Sequence, residues 1–422
     1  MKRVGAVFTG QGSQYVGMGK ALCTNFTCAR NTFLTANEIL NFDLMKLCFE
    51  GDEKKLSMTE YSQPAIVTYS IALYRVFEER FGYRPVIFAG HSLGEYSALT
   101  CAEAIMFEDT LRIVQKRGKL MGSLANDGKM AAIIGAESDD IREYCIQHSM
   151  PDRVLSISNY NTKQQTVISG NDTLVKEATE YFSEKGFRTK ILNVSGAFHS
   201  QMMSEITEQF SEELEKYTLS TPKYKVISNV DGMPFIDSRD IKVKLVRQLV
   251  NPVKWSNVMD YFLRDQIDTV IEFGAGRTLG NFFKTVSKTI QTFSYEQNED
   301  FTALTQIAKS SDFTFAQFKD LASRCISIIA CTKNNNFDEN QYQKNVVEVC
   351  QKIRSINVCN EGGKNITAEN VMEWTITALR GKLVPNDEIA VRLLELERKT
   401  PAIALQKIIN KYANEFFERV II

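Results

Sequence analysis

Residues Pro85–Thr100 read "PVIFAGHSLGEYSALT". The run "VIFA" is apolar without interruption, the texture of a strand buried on both faces. "SLGEYSALT" and the residues after it have a helical texture. Between them stands Gly90-His91-Ser92-Leu93-Gly94. Glycine at both ends allows a strained strand-to-helix turn that a Cβ would block. Such a turn exposes the serine oxygen and aims helix N-terminal amides at a charge developing beside it. Two readings are open from this stretch: Ser92 is a nucleophile, or it caps a helix between small residues.

The same alternation continues outward. "KRVGAVFTG" is a short buried strand ending in glycine, and helical patterns follow it to about residue 82, including "QPAIVTYSIALYRVFEERFG". "FEDTLRIVQKRGKLMGSL" reads as a helix, and "KYKVISNVDG" and "DTVIEFGAG" as apolar strands. Strands alternating with helices predict a parallel sheet covered by helices. Near Gly128 the texture changes. "KMAAIIG", "ESDDIREYCIQHS", "RVLSISNYN", "QQTVISG", "NDTLVKEATEYFSEKG" and "FRTKILNVS" give the order βαββαβ of a ferredoxin-like unit. The expected organisation is an α/β parallel-sheet domain over residues 1–127 and 196–295, an inserted ferredoxin-like subdomain over 128–195, and a helical extension over 296–422. The extension opens on "SYEQNEDFTALTQIAKSSD", which reads as a polar linker with a helical turn. Four amphipathic patterns follow, the last being "IALQKIINKYANEFFERVI".

The chain has 422 residues, 44% of them hydrophobic and 24% charged, with a net charge of −1. That balance gives no overall drive toward nucleic acid or an anionic membrane. No apolar run has the length of a membrane span, and the N-terminus lacks the features of a signal peptide. Nine cysteines, without a C-x-x-C pair, and three histidines make a zinc site or disulfide framework an unfavoured reading. A reducing cytoplasm fits best.

A nucleophilic serine needs a base. His91 adjoins Ser92, so its side chain is expected to point away from the exposed one. His148 lies at a polar helix end. His199, in "NVSGAFHSQMM", follows a strand and a Ser-Gly bend and is the leading candidate. Arg117 stands out by periodicity. On a helix of about 100° per residue it falls about 60° from Val114, inside the apolar arc of Leu111, Ile113, Leu120 and Met121. Arg112, Lys116 and Lys119 gather opposite. A buried guanidinium must be paired. The partner is either an internal carboxylate or the carboxylate of a substrate held by the guanidinium fork. In "VIEFGAGRTLG" the spacing Gly274-x-Gly276-x-x-x-Gly280 misses the dinucleotide fingerprint, and no P-loop lysine follows, so a helix-start turn is the better reading.

Taken in order, "FTGQGSQYVGMG", "SQPAI", "GHSLGEYSAL", "QKRGKLM", "AFHS", "QLVNPVKW" and "EFGAGRTLG" resemble the malonyl-CoA:acyl carrier protein transacylase family, including the stand-alone, trans-acting acyltransferases of polyketide synthases. The resemblance covers roughly residues 1 to 295. It implies a hydrolase-like α/β domain with an inserted ferredoxin-like subdomain. It also implies that Ser92 is the acylated nucleophile and His199 the general base and later the acid, oriented by the backbone carbonyl of Gln248. The backbone amides of Gln11 and Leu93 would form the oxyanion hole. Arg117 would clamp the malonyl carboxylate, Gln63 would line the same site, and Phe198 matches the form associated with malonyl over methylmalonyl.

The implied activity is an S-malonyltransferase serving polyketide or fatty acid synthesis. Its substrates would be malonyl-CoA and the phosphopantetheine thiol of an acyl carrier protein, with no metal and no permanently bound cofactor. Two alternatives accompany it. One is an editing hydrolase of the same family, against which Arg117 argues. The other is a docking role toward a synthase, carried by the extension. Lys163, Arg188, Lys190, Arg277, Lys284 and Lys288 are candidates for a basic rim that would meet an acidic carrier protein.

Overall fold

The computed structural model describes residues 3–81, 84–124, 128–194, 196–310, 315–355 and 368–399. Among these are nine strands: β1 (Val4–Phe8), β2 (Ile87–Gly90), β3 (Gly128–Ile134), β4 (Leu155–Thr162), β5 (Gln165–Asn171), β6 (Arg188–Ile191), β7 (Lys225–Ile227), β8 (Thr269–Phe273) and β9 (Gln291–Ser294). Five of them form a parallel sheet in the order β7-β2-β1-β8-β9. The other four form an antiparallel sheet in the order β4-β5-β3-β6, the strand order of a ferredoxin-like unit. The described residues divide into two compact units: those of 3–77 with those of 85–302, and those of 78–84 with those from 303 onward.

Every residue of β1, β2 and β8 is buried, which is why their sequences carry no alternation. One face of the sheet, with Val7, Ile87, Ala89 and Val270, packs on Trp255, Val258 and Phe262 of the helix Trp255–Arg264 and on Phe283. Gly5 is required there: a Cβ would come within 2.5 Å of the Phe262 ring. The opposite face carries Phe8 and Phe273, whose rings meet Tyr74 and Phe77 of the helix Thr59–Phe81 at centroid distances of 5.3–6.1 Å. Each such pair contributes about 0.5–1.5 kcal/mol beyond the area it buries.

The smaller sheet is tied to the larger domain by backbone bonds from Tyr160 N to Val253 O and from Val253 N to Ser158 O, at 2.9 and 2.8 Å. The carboxyl ends of β1, β2, β7 and β8 therefore share one edge, the place where parallel α/β sheets bind ligands. On that edge "EFGAGRTLG" is a helix start. Glu272 accepts from the amides of Leu279 and Gly280 in the first turn of the helix Thr278–Val286. Burial pushes its carboxyl up to about 7, against the pull of those amides.

Three stretches differ from the expectation. The supposed linker after Tyr295 contains a full helix, Asn298–Ser310, which follows the edge strand β9. In its first two turns Asn298, Glu299 and Thr302 are exposed while Leu304 is buried, so polarity there does not mean a lack of structure. A further helix, Asn386–Lys399, was not anticipated; its alternating acidic and basic residues mask the apolar positions Ile389, Leu393 and Leu396. The last amphipathic pattern, "IALQKIINKYANEFFERVI", lies outside the described residues.

Within the second unit, the helices Phe315–Cys331, Glu348–Ser355, Ala368–Gly381 and Asn386–Lys399 turn their apolar faces on one another around Ile329, Ile353, Met372 and Leu393. Lys382, almost fully buried, donates to the carbonyls of Ile329 and Thr332 at 2.5 and 2.7 Å and so satisfies the carboxyl end of the first of these helices. No helix among the described residues is long and apolar enough to cross a membrane.

Candidate active site

The turn after β2 is built on sterics. A Cβ on Gly90 would lie 1.8 Å from the Gly94 carbonyl carbon, and one on Gly94 would lie 2.1 Å from the Phe8 carbonyl oxygen. The chain crosses itself and the neighbouring strand too closely for any other residue. Ser92, at the apex, has φ of 51°, a left-handed conformation that costs a non-glycine residue about 1 kcal/mol or more. Asn229, just beyond β7, holds it there. Its Oδ1 accepts from the Ser92 amide at 2.7 Å, and its Nδ2 donates to the Gly90 carbonyl at 2.8 Å.

Ser92 Oγ lies 2.7 Å from His199 Nε2. On the other side of the ring, His199 Nδ1 donates to the Gln248 carbonyl at 2.7 Å. A carbonyl can only accept, so it fixes the tautomer: the proton sits on Nδ1 and the Nε2 lone pair faces the serine. His199 is itself left-handed, with φ of 58°, and buried. Burial first, then the Arg117 charge, push its imidazole down to about 3, although the Gln248 bond opposes them. The ring is therefore neutral at physiological pH, the state a base requires. Acylation of Ser92, measured as kcat/KM against pH, is expected to show no break at 6.5, the ordinary histidine value. A half-loss centred there would show an imidazole of ordinary proton affinity.

Arg117 is buried, 1% exposed, on the helix Phe107–Ser123. Its Nη2 donates to Gln248 Oε1 at 3.1 Å and reaches Ser92 Oγ at 3.4 Å. No carboxylate among the described residues lies within ion-pair distance of it, so the internal-partner reading fails. Nε also lacks a partner. The guanidinium lies over the Tyr96 ring, 5.4 Å from its centroid. Burial lowers its proton affinity, which is the cost of holding an unpaired cation inside the protein.

A cavity of about 1150 Å³ opens over Ser92 and His199. Gln11, Phe198, Met121, Met130, Asn161 and Lys190 are among the residues that line it. Among the described residues the backbone amides of Gln11 and Leu93 donate to no protein acceptor, so both are free to meet a developing oxyanion.

His91 lines the same cavity, but its side chain is turned to Asn161, with Nε2 2.8 Å from Asn161 Oδ1, and to the Trp255 ring, and does not serve the serine. One expectation needs correction. Gln63 does not line the cavity. It is fully buried behind Gln11, with Nε2 3.4 Å from Gln11 Oε1, because the helix Thr59–Phe81 packs under that loop. Of the basic residues considered for a rim, Lys190 alone lines the cavity; Arg277 faces Glu299 and Asp300. Sequence reading passed over Asn229 and Glu95. Glu95 is fully buried and accepts from the Asn229 amide and from Gln248 Nε2, both at 2.6 Å. Its position in "GHSLGE" was visible, but its partners lie more than a hundred residues away.

Residues 6–296 match the family model described as the acyl transferase domain. A malonyl CoA-acyl carrier protein transacylase of Bacillus subtilis is 36% identical over 315 residues, 74% of this chain and 99% of that one. One from Haemophilus influenzae is 36% identical over 308 residues, 72% and 98% of the two chains. Among solved structures, a malonyl CoA-acyl carrier protein transacylase from Coxiella burnetii superposes with a TM-score of 0.70 at 32% identity, covering 73% of this chain and 98% of its own. A malonyl-transacylase in complex with the acyl-carrier protein of a type II polyketide synthase has a TM-score of 0.70 at 34% identity, covering 72% and 100%. The chain belongs to the acyl transferase domain family, among its malonyl CoA-acyl carrier protein transacylases.

Proposed function

We propose that this enzyme moves a malonyl group from malonyl-CoA to the phosphopantetheine thiol of an acyl carrier protein, through a malonyl ester on Ser92. The observation that carries the choice of acyl group is Arg117. It is a buried guanidinium with no carboxylate partner of its own, 3.4 Å from the serine oxygen. An acyl group ending in a carboxylate supplies the missing partner, whereas an acetyl group leaves the cation unpaired.

The reaction runs in two stages through one imidazole. Ser92 Oγ attacks the thioester carbonyl and its proton passes to His199 Nε2. The amides of Gln11 and Leu93 receive the oxyanion. The carbon–sulfur bond breaks, and coenzyme A leaves with the proton from His199. In the second stage the pantetheine thiol gives its proton to His199 and attacks the ester, and Ser92 takes the proton back as it leaves. The Gln248 carbonyl holds the ring in place throughout. A carbonyl dipole stabilises the imidazolium less than a carboxylate would, and the dyad works without a third acidic member.

Both substrates carry the same pantetheine arm. A cavity much larger than a malonyl group supports entry of that arm with the acyl group at its floor. Phe198 beside His199 supports malonyl over a bulkier α-substituted group, since the ring fills the adjoining space. No permanently bound cofactor takes part in this scheme. The nine cysteines without C-x-x-C spacing support a reducing, cytoplasmic setting.

Intact-mass measurement tests the reading. Incubation with malonyl-CoA is expected to add one malonyl mass, lost on Ser92→Ala, while acetyl-CoA labels far less. A carrier protein then removes the label. Equal labelling by both thioesters would overturn the assignment of Arg117. Loss of the label to water in the presence of carrier protein would make the enzyme a hydrolase.

A further inference from the structure

Glu95 has no part in the scheme above, yet its hydrogen bonds lead through two partners to Ser92, His199 and Arg117. One oxygen, Oε1, accepts from the backbone amide of Asn229, the residue whose side chain brackets the Ser92 turn. The other, Oε2, accepts from Gln248 Nε2, which also donates to the Ser92 carbonyl at 3.0 Å. The same Gln248 accepts from Arg117 through Oε1 and from His199 through its backbone carbonyl. Glu95, Asn229, Gln248 and Arg117 are each at most 1% exposed, so water does not substitute for any of these bonds.

The chemistry of the Gln248 amide gives Glu95 its role. Oε1 must face the guanidinium, because an NH2 group there would set donor against donor. Nε2 must then face Glu95 and the Ser92 carbonyl, and a donor at position 95 would oppose that orientation. The carboxylate also stands one amide away from Arg117. It leaves the guanidinium fork open to a substrate carboxylate, and burial pushes the Glu95 carboxyl up to about 8 against the pull of its two donors and of the Arg117 charge. A glutamine at position 95 has the same shape but a single acceptor. Its NH2 would confront either the Asn229 amide or the Gln248 amide.

We propose that Glu95 is a positioning residue for malonyl transfer: through Gln248 it holds Arg117 ready for the substrate carboxylate, and through Asn229 it holds the strained Ser92 turn. This rests on the assignment of Ser92, His199 and Arg117 made above.

The test compares acylation of Ser92 by malonyl-CoA and acetyl-CoA in the wild-type enzyme, Glu95→Gln and Glu95→Asp. Glu95→Gln is expected to lose about tenfold or more in kcat/KM for malonyl-CoA, the scale of one unmet buried hydrogen bond. The loss for acetyl-CoA should be several-fold smaller, so that the malonyl:acetyl ratio falls. Glu95→Asp keeps two acceptor oxygens and is expected to recover part of that ratio, which a shape-only role would not allow. Rates are referred to folded protein, measured by the cooperative part of the melting curve. If Glu95→Gln does not fold, the ratio in Glu95→Asp decides. A wild-type ratio and rate in Glu95→Gln, or in Glu95→Asp where that variant decides, overturns the inference and leaves the dyad intact. Absence of malonyl-Ser92 in the wild-type enzyme overturns the assignment beneath it, and the inference with it.

Discussion

Arg117→Ala is expected to lower kcat/KM for malonyl-CoA by about two to three orders of magnitude while changing acetyl-CoA much less. The size follows from burial. Breaking a buried charge pair costs about 3–5 kcal/mol, and about 1.4 kcal/mol is a tenfold change in rate. In the free enzyme the guanidinium meets the Gln248 oxygen, the serine oxygen and the Tyr96 ring, and no carboxylate among the described residues pairs with it. Its desolvation has already been met by the fold, so a malonyl carboxylate gains nearly the full pairing energy. Without the arginine, malonyl-CoA must bury its own carboxylate unpaired, and acetyl-CoA has none to bury. Competition between the two thioesters, read by the mass added to Ser92, measures the ratio directly. A retained malonyl preference in Arg117→Ala would remove the clamp from the mechanism.

His199→Ala is expected to slow acylation of Ser92 by about 10²–10⁴-fold, the usual contribution of a positioned general base. His199 Nε2, 2.7 Å from Ser92 Oγ and backed by the 2.7 Å bond to the Gln248 carbonyl, is the acceptor that the described residues offer the serine proton. His91→Ala serves as the internal comparison. His91 lines the same cavity and adjoins Ser92 in sequence, but it is engaged with Asn161. Its removal should change the rate by far less. Single-turnover acylation of the two variants separates them, and a larger loss in His91→Ala would reverse the assignment of the base.

The parts of this site that could be read from the chain have a common character: each is fixed by local geometry. Gly90 and Gly94 flank Ser92 because the turn brings backbone atoms within about 2 Å of where a Cβ would be. Arg117 announces itself by its place on a helix face, and that face is buried as its period requires. The βαββαβ order names the members of the smaller sheet, in which only β4 and β5 pair as neighbours in the chain, while β3 pairs with β5 and β6 across intervening elements. The helix Asn298–Ser310 was missed for the converse reason. Its residues are polar, and polarity alone does not separate an exposed helix from a linker.

By itself the sequence determined which residues are chemically able to act: a serine in a glycine-bracketed turn, a small choice of histidines, and an arginine on an apolar face. Only the tertiary structure decided which of them meet. His199 reaches Ser92 across 107 residues, Gln248 reaches Glu95 across 153, and Asn229 reaches Glu95 across 134. Those pairings depend on β2, β7 and the helix Ser238–Val250 bringing remote side chains to one sheet edge. A buried polar atom takes whatever partner the packing puts within about 3 Å, and no local pattern in the chain records which partner that is.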